Sequence, residues 1–268
     1  MSYLYMKGIS KSFPGVQALD NVDFEAEKGE VHAIAGENGA GKSTLIKILS
    51  GAYLPDKGQI FLDGRELSIT DPHSGREQGI SVIYQEMSLI PDMTVAENIF
   101  LANMPKKYGT VKWQEMRQRT NEVLQEIGFD INPNAKIREL SIVQQQAVEI
   151  AKILVEETKI VVMDEPTALL PPREVKILFD VINKLKSKGV TVLYISHRLD
   201  ELFQIADRIT VLRDGTKIGT VKPEDITQDE LVQMMIGRKP SERQYWKPER
   251  AEKLKNAPVI LEAEGLSD

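Results

Sequence analysis

The sequence predicts an α/β fold with a mainly parallel central sheet, an antiparallel β-subdomain near its start and a helical insertion in its middle. Three observations carry that expectation. Short β-rich runs alternate with helical patterns along most of the chain. Strand-like pieces and turn signals crowd residues 4–64. Strand signals then vanish between about residues 86 and 149, where helical spacing takes over.

Taken in order, the early pieces are broken by the dipeptides Lys57-Gly58 and Asp63-Gly64, which read as tight turns between antiparallel strands. The runs at 31–35, 80–84, 160–163, 190–195 and 208–212 are short and β-rich and alternate with helical patterns, as the strands of a largely parallel sheet do. Inside the insertion, residues 113–127 carry helical spacing. At its end, Ser141 followed three residues later by Gln144 forms a capping box for a helix starting at Ile142. Val143, Ala147, Ile150, Ala151 and Leu154 then fall on one face of that helix as a buried stripe. Residues 227–236 read as a last helix, and RKPSERQYWKPERAEKLKN after them as a charged, proline-punctuated linker. The closing VILEAEGLSD matches the opening YLYMKGIS in its apolar residues and its Gly-apolar-Ser ending at Gly8 and Gly265; on the residues alone this is either the start of a second copy of the domain, or a chance match or unrelated terminal strand.

The 268 residues, 41% hydrophobic and 28% charged, can bury a sizeable core in one large domain or two small ones. A formal charge of −6 and a pI near 5.4 disfavour nucleic acid as the main partner, since such domains are usually basic. No cysteine is present, which excludes disulfides and thiolate metal sites. The start, MSYLYMKGISKSF, lacks a signal-peptide pattern, and no apolar run approaches the roughly 18 residues of a membrane span. Contact with a membrane is therefore expected only through a partner.

The strongest chemical signal is GENGAGKST, residues 36–44, between the strand-like VHAIA and the helical LIKILS. Glycines in such a loop let backbone amides curl around phosphate oxygens; Lys42 would reach the β and γ phosphates, and Ser43 would offer its hydroxyl to Mg²⁺. The helix behind adds its positive N-terminal end. A glycine-rich turn alone has these residue types without that context. The apolar strand at 160–163 ends in Asp164 and Glu165. One carboxylate there can hold Mg²⁺ through water and its neighbour can orient or deprotonate an attacking water. Gln85 and His197 also follow strands, and ligands in open α/β sheets gather at those carboxyl ends. His32 and His73 have no such placement and read as structural or surface residues.

With LSIVQQQ between the phosphate loop and Asp164, the order of motifs across residues 3–236 resembles the ATP-binding subunits of ABC transporters. The resemblance implies a P-loop NTPase (RecA-like) core with a helical signature subdomain, ATP and Mg²⁺ as cofactors, and a role for each matching residue. Phe13 resembles the aromatic that stacks on adenine. Gly36, Glu37, Asn38, Gly39, Ala40, Gly41, Lys42, Ser43 and Thr44 form the Walker A loop. Gln85 resembles the glutamine that senses Mg²⁺ and the transmembrane partner, Ser141 the signature serine, Asp164 the Walker B aspartate. Glu165 resembles the general base and His197 the switch histidine. Longer stretches, among them VIYQEMSLIPDMTVAENIFL and ISHRLDELFQIADRITVLRDG, are similar to the first half of tandem subunits serving ribose, galactose and related monosaccharide importers.

That subfamily implies residues 1–236 as one nucleotide-binding domain with a helical subdomain at about 86–150, 237–256 as linker and 257–268 as the start of a second domain. It further implies a second nucleotide-binding half, a transmembrane permease and an extracytoplasmic sugar-binding protein as partners, and a place on the cytoplasmic face of the membrane. Two departures stand out: Ile142 and Val143 where the signature has glycines, and Pro171 in place of the usual aspartate in TALLPP. Together they question the chemistry of one of the two nucleotide sites that the resemblance implies, Val143 that of the nucleotide held by the other half. Three alternatives stay open on the residues: a non-transport ABC ATPase of translation or DNA repair, an ATP-binding switch with little turnover, and a small-molecule P-loop kinase.

Overall fold

The computed structural model describes residues 2–84, 88–101, 104–107, 109–156, 158–168 and 170–237. Gln85, all but the first residue of the expected linker and the expected start of a second domain lie outside the described residues. In chain order the elements are β1 (Leu4–Phe13), β2 (Val16–Ala26), β3 (Val31–Ala35), α1 (Lys42–Leu49), β4 (Lys57–Leu62), β5 (Arg65–Glu66), α2 (Pro72–Glu77), β6 (Ile80–Ile83), α3 (Val95–Ile99), β7 (Lys106–Lys107) and β8 (Thr110–Val111). They continue with α4 (Trp113–Ile127), α5 (Ile142–Val155), β9 (Ile160–Asp164), α6 (Pro172–Ser187), β10 (Thr191–Ile195), α7 (Leu199–Ile205), β11 (Arg208–Arg213), β12 (Thr216–Val221) and α8 (Gln228–Ile236).

Six strands in the order β12-β11-β3-β10-β9-β6 make the central sheet, parallel throughout except for β12 at its edge. A second sheet, β2-β1-β4-β5, is antiparallel. The uninterrupted burial of β3 and β10 follows from this architecture, because successive side chains point to opposite faces and both are covered. On one face Ile34, Val162 and Leu193 pack with Leu45 and Leu49 of α1 and with Met6 and Phe24 of the antiparallel sheet. On the other, Ala33, Val161 and Met163 pack with Ala147 and Ile150 of α5 and Leu178 and Ile182 of α6. No helix among the described residues is long and apolar enough to cross a membrane.

The middle of the chain is helical, and α4 spans the residues expected of it. One feature differs. A two-stranded hairpin, β7 with β8, lies where no strand was expected, closed by Gly109 at φ +80°. Its strands are two residues each and mostly Lys and Thr, too short and polar for a period to register.

At the end of the sheet remote from the phosphate loop, His32 is buried and supports the structural reading. Its Nδ1 lies 2.8 Å from Glu30 Oε1 and its Nε2 lies 2.7 Å from Thr210 Oγ1, and Arg208 donates two hydrogen bonds to Glu30. Burial holds the imidazole pKa below its usual range, against the opposing pull of Glu30. The tautomer that satisfies both contacts then donates from Nδ1 and accepts the Thr210 hydroxyl at Nε2. Burial alone would raise the Glu30 pKa, but hydrogen bonds from His32 and Arg208 outweigh it and bring it to about 2. Both folded pKa values lie below the unfolded ones, so both contributions are complete at neutral pH and are lost on acidification. The His32 share is lost first, starting as pH falls below about 6.5 and continuing towards its lower folded pKa, and the Glu30 share between about 4.5 and about 2. Thermal melts are expected to show a lower Tm at about pH 5.5 than at about pH 7.5; an unchanged Tm overturns the neutral, buried His32.

Candidate functional site

Three site segments leave the sheet at the same end, the carboxyl ends of β3, β9 and β10, because these strands are parallel and in register: Ile34 and Asp164 both pair with Ile195. From β3 the chain enters the 36–44 loop, and α1 begins at Lys42 with no side-chain cap and no acidic residue in its first turn. Its first amides therefore face outward with the positive end of the helix dipole behind them, a site for an anion. Ala40 and Gly41 are buried, while Glu37, Asn38, Gly39 and Ser43 are exposed. Gly41 has φ +102°, and a Cβ there would meet Ala18 O and Leu19 Cδ2 at 2.7 Å, so glycine is required on both counts. The Lys42 ammonium donates to Gly36 O at 2.7 Å and Glu37 O at 2.9 Å. It is thereby held at the mouth of its own loop.

Asp164 closes β9, and Glu165 follows with φ +49°, a left-handed backbone rare for glutamate. Such a conformation costs on the order of 1–3 kcal/mol and persists where surroundings over-determine it. Here the Glu165 amide donates to Ile195 O at 2.9 Å, tying the end of β9 to that of β10. Glu165 Oε1 lies 3.1 Å from His197 Nδ1, and the histidine side chain is otherwise largely exposed. Burial, and next the charge of Glu165, raise the Asp164 pKa, while Lys42 and Lys47 oppose. Burial lowers the Lys42 pKa, with Glu165 and Asp164 opposing. The pair of carboxylates thus carries negative charge that two lysines offset in part, a setting suited to a divalent cation. Among the described residues no cluster of three or more His, Cys, Asp or Glu could cage a metal. The chemistry of the residues present, the Asp164 carboxylate and the Ser43 hydroxyl, is that of oxygen donors, which suits Mg²⁺ once nucleotide phosphates complete its coordination.

The structure therefore brings Lys42, Asp164, Glu165 and His197 together. Phe13 stands apart at the end of β1, partly exposed, edge-on to Tyr53 with ring centroids 5.3 Å apart. Lys47 covers the Tyr53 ring at 5.2 Å. Neither contact is legible in the sequence, since Lys47 in the last turn of α1 covers Tyr53 beyond it, and Tyr53 meets Phe13 only once the end of β1 packs beside it.

Ser141 stays within its own turn at the start of α5: its Oγ accepts from the Gln144 amide at 3.3 Å and its amide donates to Gln144 Oε1 at 3.0 Å. The three glutamines sit in three different settings. Gln144 completes the capping box, Gln145 donates to Leu140 O at 3.0 Å, and Gln146 is buried. Val143 begins the buried stripe, half-buried against the core near Phe129, Ala147 and Leu170. The large apolar side chain exposed at this helix end is Ile142. The bulk that replaces the signature glycines is therefore presented outward by Ile142, while Val143 turns into the domain.

The profile of a family described as "ABC transporter" matches residues 19–168. The chain is 49% identical over 263 residues to the ribose import ATP-binding protein RbsA 1 of Rubrobacter xylanophilus, covering 98% of this chain and 52% of that protein. It is 51% identical over 237 residues to the xylose import ATP-binding protein XylG of Moorella thermoacetica, covering 88% and 47%. The chain spans about half the length of the curated relatives it matches. Among solved structures, the ADP conformation of MJ1267, an ATP-binding cassette of an ABC transporter, is similar with a TM-score of 0.75 and 28% identity, covering 89% of this chain and 100% of that one.

Proposed function

Since this chain belongs to the ABC transporter family, we propose that it is the N-terminal nucleotide-binding half of a tandem subunit that hydrolyses Mg-ATP to drive sugar import through a permease. The observation that carries the reading is the convergence of Lys42, Asp164, Glu165 and His197 at one sheet edge, in a chain that spans about half of ribose- and xylose-import relatives. In this reading the partners are the second half, a transmembrane permease and an extracytoplasmic sugar-binding protein, and the chain sits on the cytoplasmic face.

The chemistry follows from the residues. Phosphate oxygens take the donors of the 36–44 loop and the first amides of α1, and the Lys42 ammonium exchanges the carbonyls of Gly36 and Glu37 for the β and γ phosphates. Ser43 and Asp164 would hold Mg²⁺, with Gln85 joining them; the ion supplies positive charge to the phosphate oxygens as negative charge develops there. Glu165 orients a water and accepts its proton as the water oxygen bonds to the γ phosphorus and the bond to the bridging oxygen breaks, giving ADP and phosphate. His197, beside Glu165, faces the γ phosphate. Phe13 stacks on adenine, and Ser141 with the amides of α5 meets the nucleotide of the other half.

The full-length chain, reconstituted with its permease in vesicles, is the test. ATP-dependent uptake of a monosaccharide, stimulated by a loaded sugar-binding protein, is the expected result. Turnover that ignores the permease, with copurification on ribosomes or DNA, overturns it in favour of a non-transport ATPase.

A further inference from the structure

Behind the pair formed by Glu165 and His197 lies a carboxylate that the mechanism above does not use. Glu201, in the first turn of α7, is buried. Its Oε2 accepts three hydroxyls: Thr167 Oγ1 at 2.8 Å, Tyr194 OH at 2.8 Å and Ser196 Oγ at 2.9 Å. Arg198 Nη1 lies 2.8 Å from the other oxygen as an ion pair that is not aligned as a hydrogen bond. Ser196 Oγ also accepts the Arg198 amide at 3.0 Å. All three hydroxyl-bearing residues are buried.

The positions of the donors give the arrangement its meaning. Thr167 lies two residues beyond Glu165, on the turn that leaves β9, and Ser196 immediately precedes His197 on the segment that leaves β10. One carboxylate therefore joins the turn carrying Glu165 to the segment carrying His197. A buried charge is a poor way to gain stability, since well-packed apolar side chains do as well or better. A fixed geometry is what it does supply, and Glu165 needs one, because its left-handed backbone has to be imposed from outside. The Glu165 amide is anchored on Ile195, the residue before Ser196, so the network and the backbone tie act on the same two segments.

We propose that Glu201 is a positioning residue that, through Thr167 and Ser196, fixes the general base Glu165 and His197 relative to each other. This rests on the reading of Glu165 as base. Loss of the network should slow the chemical step and leave nucleotide binding alone, since displacing a reacting group by about an ångström costs up to about a hundredfold in rate.

The test uses the full-length protein with its permease. Thr167→Val keeps the shape of the side chain and removes one hydroxyl; Thr167→Ser restores it. The expected result for Thr167→Val is a kcat lower by about tenfold or more with the KM for ATP unchanged, and recovery towards the parent value in Thr167→Ser. Glu201→Gln, measured in parallel, should show the same split between kcat and KM. A parent-like kcat in Thr167→Val, or a rise in KM that tracks a fall in Tm, overturns the proposal and leaves Glu201 a structural group. Glu165→Gln keeps the two readings apart. If Glu165→Gln abolishes turnover while Thr167→Val does nothing, the positioning role alone fails; if Glu165→Gln turns over normally, the base assignment itself fails.

Discussion

Replacing Glu165 with glutamine is expected to reduce ATP turnover by about a hundredfold to ten-thousandfold while leaving ATP binding intact. Glutamine has the same shape and can still contact a water, but it cannot take its proton. The left-handed backbone at residue 165 is held by the amide bond to Ile195 O, which the substitution does not touch. Charge works in the same direction. Glu165 is the main neighbouring charge that raises the Asp164 pKa, so its removal makes Asp164 a better anion and lowers the negative charge that an incoming phosphate meets. Binding should thus hold or tighten as turnover collapses. Hydrolysis at saturating Mg-ATP and equilibrium ATP binding, measured on one preparation, read both halves of this expectation. Turnover within about threefold of the parent would remove Glu165 from the base role, because a general base contributes far more.

The sheet and the strand-loop-helix of residues 31–49 are legible because both rest on local rules. Strands covered on both faces are near-continuous apolar runs, and β9 and β10 are such runs, while β3 and β11 keep the pattern apart from His32 and Thr210 and the arginines that end β11. The loop is a contiguous motif between a strand and a helix. The capping box at Ser141 and the stripe through Val143 follow from spacing on one helix and were read correctly for that reason. What the chain did not disclose is whatever depends on segments distant in sequence. Glu201 looks like an ordinary acid in the first turn of a helix, and only the fold brings Thr167, 34 residues away, to its carboxylate. The left-handed backbone of Glu165 has no composition signal, since glutamate does not favour it. Tyr53 gains a role only when the turn after β1 brings Phe13 against it. The direction of Val143 was legible as the first step of a stripe, yet which of two bulky residues faces outward required the first turn of α5 itself.

The second large effect separates two glycines of the phosphate loop. Gly36→Ala is expected to abolish ATP binding and destabilise the domain, while Gly39→Ala is expected to do neither strongly. A Cβ at Gly36 would lie 2.3 Å from Leu212 O and 2.9 Å from Ala40 Cβ. Leu212 belongs to β11, which pairs with β3, and its carbonyl cannot retreat without parting two central strands. Ala40 is buried, and its amide closes the loop on Glu37 O at 3.1 Å. Neither contact is the end of a flexible side chain, so the clash resolves by moving the loop and with it the amides and the Lys42 anchor on Gly36 O. Overpacking of this kind costs about 1–3 kcal/mol or more. At Gly39 nothing lies within 4 Å of an added Cβ, and the only penalty is a φ of +86°. That penalty is roughly 1–2 kcal/mol and is confined to an exposed residue. Thermal melts and equilibrium ATP binding of the two variants decide the matter. Equal losses in both would mean that the freedom of the glycine backbone, and not the close approach of β11, is what the loop requires at residue 36.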